Sequence, residues 1–81
     1  METISRQTYD QLMKQGFIYL HGEKCQMHDM HSYTEYGQTR SIYVAHARSG
    51  KLYRVELIKV VSEYVNDFEV DYGIIVKKME D

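Results

Sequence analysis

The chain has 81 residues, 43% of them hydrophobic and 27% charged, with a net charge of −2 and no proline. That length makes one domain with a small core and excludes a buried, multi-part active site, while the composition is that of a folded soluble protein. No apolar stretch reaches the length of a membrane span, the N-terminus lacks a signal-peptide pattern, and the lone cysteine, Cys25, excludes an intrachain disulfide. A reducing cytoplasm is the expected compartment.

The first element is a short helix over Arg6 to Gln15. Ser5 suits the N-cap, and Ile4 with Tyr9 has the spacing of a hydrophobic staple. Tyr9, Leu12 and Met13 form one apolar stripe, Lys14 complements the dipole, and Gly16 suits the left-handed residue past the end, with Phe17 folding back onto Leu12. About ten residues are marginal as an isolated helix, so the stripe must dock on a sheet.

Phe17 to Leu20 reads as a first strand, ended by His21-Gly22. Residues 23–38 are polar, with Met27 and Met30 as their main apolar content, and are expected to be a long loop. Residues 39–60 then read as a β-hairpin. A two-residue loop, Ser49-Gly50, pairs Ile42 with Leu57, Val44 with Val55 and His46 with Tyr53 on the core face. Tyr43 with Glu56 and Ala45 with Arg54 then share the solvent face, and a slip of one residue would mix the two. Beyond it lies a turn at Asn66-Asp67, then a strand in which Phe68, Val70 and Tyr72 alternate with Glu69 and Asp71. Gly73 suggests a bulge before Ile74 to Lys78. A rival reading makes residues 58–65 helical, because Val61, Tyr64 and Val65 have that spacing. The expected fold is α+β: one N-terminal helix on an antiparallel sheet of about four strands with the hairpin at its centre.

Three groups of side chains could carry chemistry. His21, Cys25, His28 and His31 fall within eleven positions, and imidazole and thiolate are zinc ligands, although one tight segment strains a tetrahedral site. His28, His31 or His46 with a tyrosine and an arginine could serve acid–base cleavage of RNA, with His46, Tyr53 and Arg48 close together in the hairpin. The hairpin also gathers Arg40, Arg48, Lys51, Arg54 and Lys59 against the single acid Glu56, with Tyr43 among them and Tyr33 and Tyr36 just before. Rings interleaved with arginines suit single-stranded RNA. Residues 60–81 carry six acids against Lys77 and Lys78, a net of −4, so the surface is two-signed.

Eight tyrosines exceed what a small core needs, and tyrosine is common at interfaces. An exposed sheet edge, in residues 17–20 or 68–78, offers a route to a homo-oligomer. In its whole character, small, proline-free and rich in tyrosine and charge, the chain resembles the accessory proteins that phages make to block host enzymes or defences. No diagnostic residue carries that likeness, so no functional residue follows from it. What it implies is a non-enzymatic inhibitor in the host cytoplasm that binds a protein partner such as an RNA-cleaving toxin. The alternatives are an RNA-binding domain using the basic hairpin, and a small zinc- or His-dependent enzyme.

Overall fold

A computed structural model describes residues 1–64 and 67–79. Its elements are β1 (Glu2–Ile4), α1 (Arg6–Gln15), β2 (Phe17–Leu20), β3 (Glu23–Glu35), β4 (Gln38–Ala47), β5 (Leu52–Tyr64) and β6 (Asp67–Lys78). The strands form one six-stranded antiparallel sheet in the order β1-β6-β5-β4-β3-β2. The expected four-stranded α+β sheet is therefore corrected to a larger curled sheet, a half-barrel, with one short helix on one face.

The helix is built as its sequence dictates. Ser5 Oγ accepts the Thr8 N–H at 3.0 Å, and Gly16 takes the left-handed conformation at the end. Tyr9 and Leu12 are buried in a cluster with Ile18, Cys25, Tyr43, Ala45, Ala47, Tyr53, Val55, Leu57 and Ile74. Tyr9 also packs on Tyr72 of β6, ring centres 4.8 Å apart.

The main difference from expectation is in residues 23–38, which are not a loop. They form the thirteen-residue β3 and a tight turn into β4. Two-residue turns at His21-Gly22 and Tyr36-Gly37, with positive φ at both positions, give each hairpin the twist its strands need. The polarity of β3 reflects its exposure: from His28 to Glu35 every residue is exposed. A bulge at Met30 shifts its register against β4.

The β4–β5 register is one residue away from the expected one. Ile42 stands opposite Glu56, Tyr43 opposite Val55, Ala45 opposite Tyr53 and His46 opposite Leu52. The loop has three residues, Arg48 to Gly50, with Gly50 at φ 94° and its N–H donated to the Ala47 carbonyl. This is the hairpin that places glycine at a left-handed third position. Alternation could not decide between the registers because Ile42-Tyr43-Val44-Ala45 is apolar on both faces. The helix face thus takes Tyr43, Ala45 and Ala47, while Ile42 and Ile58 are buried on the other face outside the main cluster.

β5 runs as a strand to Tyr64, so the helical reading of residues 58–65 does not hold over its described part. Of the turn expected at Asn66-Asp67, Asn66 lies outside the described residues, and Asp67 begins β6. Gly73 pairs regularly with Ile58 and Thr3, without a bulge. A Cβ there would meet only the end of the flexible, exposed Met1 side chain.

Two glycine substitutions separate strain from packing. Gly22→Ala, at φ 79° with open space around it, should cost roughly 1 kcal/mol in urea unfolding. Gly37→Ala, also left-handed, would in addition bring its Cβ to 2.9 Å from the Val61 carbonyl, and should cost distinctly more.

Candidate nucleic-acid interface

Period-two alternation puts Ile18 and Leu20 of β2 toward the core, which leaves Phe17 and Tyr19 on the opposite, open face. Register carries that face across the sheet. Tyr19 pairs with Lys24, Phe17 with Gln26, Gln26 with His46, Val44 with both His28 and Arg54, and Arg54 with Lys77. Each pair projects to the same side.

The rings and cations there touch one another. Lys24 Nζ lies 4.3 Å from the Phe17 ring centre, and Phe17 meets Tyr19 edge-on at 5.8 Å. His28 and His46 are edge-to-face at 4.8 Å. Tyr19 is 66% exposed. A shallow hollow of about 620 Å³ is lined by Glu23, Lys24, Gln26, His46, Ala47 and Arg48. Glu23 accepts a hydrogen bond from Ser49 Oγ at 3.0 Å, tying the 48–50 loop to β3.

Charge on this face is graded. Glu56 is held between Arg40 and Arg54, at 3.3 and 3.0 Å, and is the more buried member of both pairs. Lys24, Arg48 and Lys77 have no ion-pair partner among the described residues. The far end of the same face carries Glu35, Glu69 and Asp71 instead, all exposed.

The residues singled out from sequence are divided by this geometry. Tyr43 is buried on the helix face, its hydroxyl donated to Met13 Sδ at 3.0 Å, and is lost to recognition. Lys59 pairs with Thr39 and Tyr72 on the helix side of the sheet. Arg48 and Lys51 mark one end of a molecule 49 Å long. Tyr36 caps the β3–β4 turn toward the other end, and Tyr33 stacks on His31 at 5.4 Å. Arg40, Arg54 and Tyr33, which pairs with Arg40, lie on the open face, and Arg48 lines its hollow.

The zinc set is not brought together. Cys25 is fully buried on the helix face, His28 lies on the open face beside His46, His31 beside Tyr33, and His21 against Tyr53 at 5.8 Å. An extended strand turns neighbours to opposite sides, so C-x2-H spacing splits its two ligands. Among the described residues no group of three or more His, Cys, Asp or Glu side chains could hold a metal ion. The His46–Tyr53 pair is also separated, with His46 exposed on the open face and Tyr53 buried on the other.

Sequence reasoning missed Phe17, Tyr19, Lys24 and Gln26. The signal for the first two was present, because inward Ile18 and Leu20 force them outward. Lys24 and Gln26 could be placed only once β3 was known to be a strand.

Comparison of the chain with protein-family models, curated proteins and solved structures gives no match. No helix among the described residues is long and apolar enough to cross a membrane.

Three core groups, Tyr9, Tyr43 and Cys25, hold their protons more tightly than in water. Burial pushes the Tyr9 phenol up, aided by Tyr72 and Asp10, and burial with the nearby Asp29 carboxylate raises Tyr43. Burial also raises the Cys25 thiol, with Glu23 adding to it, so this sulfur is a poor nucleophile. The folded state keeps both phenol protons to higher pH than the unfolded chain does. Their contribution is therefore intact below about pH 10 and lost as pH rises through the raised values. Urea unfolding followed between pH 8 and 12 should show this alkaline loss, and Tyr9→Phe should flatten it; an unchanged slope would contradict the assignment.

Proposed function

We propose that the protein acts by binding, without turnover, and that its open face holds a single-stranded nucleic acid. The observation that carries this reading is the interleaving of Phe17, Tyr19, His28 and His46 with Lys24, Arg48, Arg54 and Lys77 on one uncovered side of the sheet. Bases stack on such rings whatever their sequence, at roughly 1–3 kcal/mol each, while the cations meet phosphates. From β2 to β6 the face spans about 20 Å at ordinary strand spacing, room for a short stretch of nucleotides. The hollow at Lys24, His46 and Arg48 fits a phosphate or a flipped-out base edge. The acidic far end would repel the strand and so limit and orient its footprint.

Among the described residues, Cys25 is buried, and His28 and His46 face each other with no hydrogen-bonded third side chain that would fix either as a base. The buried free thiol suits a reducing compartment such as the cytoplasm.

A second reading is favoured by one feature, the exposed acids Glu35, Glu69 and Asp71 on the same face. A nucleic-acid-processing enzyme with a basic substrate cleft would take that end as a substitute for phosphates, in the manner of a phage-type accessory inhibitor.

Fluorescence anisotropy with a short labelled single-stranded RNA, its DNA counterpart and a duplex tests the first reading. Binding should favour single strands and weaken with salt, by about 0.7 in log K per log salt for each phosphate neutralised. Tyr19→Ala and Lys24→Glu should each weaken it about tenfold with the fold intact. Absence of single-strand binding at low salt contradicts the proposal. Capture of a nuclease that is lost on reversing Glu69 and Asp71 would favour the second reading instead.

A further inference from the structure

The sheet has two edges, and they are protected unequally. On the β6 side, β1 covers Tyr72 to Ile74, and the uncovered stretches carry Glu69, Asp71, Lys77 and Lys78. Such charges keep an edge from pairing with another chain. On the other side β2 covers β3 only from Glu23 to Gln26, with one further backbone bond from Met27 to Gly16. Beyond the bulge at Met30, His31 to Glu35 has no neighbour on its outer edge among the described residues. No lysine and no proline interrupts it, and Ser, Tyr and Thr suit an extended strand.

This segment is complementary to itself. Antiparallel pairing of two copies about Tyr33 places His31 across from the partner's Glu35, Ser32 across from the partner's Thr34, and the two Tyr33 rings side by side. The imidazole meets a carboxylate, hydroxyl meets hydroxyl, and ring meets ring. Flanking the paired segment, Met30 at the bulge and Tyr36 in the turn are among the most exposed large apolar side chains of the molecule, at 59% and 94%.

We propose that β3 pairs with β3 of a second copy, centred on Tyr33, to form a two-fold dimer with one continuous sheet. The axis stands perpendicular to the sheet, so the open faces of both copies lie on the same side. The pairing is short, so the dimer is concentration-dependent. It does not depend on what the open face binds.

Sedimentation velocity across micromolar to millimolar concentration tests this, with circular dichroism to confirm the fold of each variant. The expected result is a monomer–dimer equilibrium in which Tyr33→Lys raises the dissociation constant at least tenfold. Glu35→Lys should weaken the dimer, and His31→Glu combined with Glu35→Lys should restore it. Under mild oxidation Tyr33→Cys should give a covalent dimer, whereas Asp71→Cys on the other edge should not. A chain that stays monomeric at millimolar concentration overturns the proposal, as does a dimer unaffected by Tyr33→Lys or cross-linked only through Asp71→Cys.

Discussion

The pairing of β4 with β5 decides everything else in this molecule. With three residues in the 48–50 loop and Gly50 in the left-handed region, Tyr43, Ala45 and Ala47 turn toward the helix. His46, Arg54 and Glu56 turn away from it. A two-residue loop would exchange the two sets, bury His46 and expose Tyr43. Because β4 and β5 are the central strands, that choice passes by direct pairing to β3 and β6 and from β3 to β2. The loop sets which side chains the outside world meets.

One ten-residue helix can cover only part of one face of a six-stranded sheet. The opposite face must therefore remain compatible with water while still sheltering Ile42 and Ile58, both nearly inaccessible. Their cross-strand neighbours are Glu56 and Arg40, which are ion-paired to each other. Long arginine stems cover apolar surface while their charged heads stay hydrated, so the Arg40–Glu56–Arg54 cluster serves first as a lid over these isoleucines. This reduces the basic hairpin seen in the sequence. Two of its five cations are engaged with Glu56, and the free positive charge lies nearer Lys24, Arg48 and Lys77.

The helix was legible almost to the residue, because Ser5, the Tyr9/Leu12 stripe and Gly16 are local signals that tertiary structure did not override. β2, β5 as far as Val60 and most of β6 were also legible from apolar runs, whereas the three-residue β1 carries no such run. β3 was not, since a strand exposed on both faces along most of its length has no apolar alternation to reveal it. Its bounding turns use His-Gly and Tyr-Gly, weaker signals than Asn-Gly, although glycine supplies the same left-handed second position. The hairpin register failed for a different reason, because β4 is apolar on both sides and loop length alone separates the alternatives. The site inherits both differences: a two-residue loop would put Tyr43 outside, and a loop over residues 23–38 gives Lys24, Gln26 and His28 no face at all.

What emerges is a sheet with a covered side, an open side graded from basic to acidic, and one poorly guarded edge. The most direct test of the open face is an amide and side-chain NMR titration of the protein with a short single-stranded RNA. Shifts are expected only at Phe17, Tyr19, Lys24, Gln26, His28, His46, Arg48, Arg54, Lys77 and their backbone neighbours. Shifts absent from these residues, or clustered instead on the helix or around Glu35, Glu69 and Asp71, would contradict it.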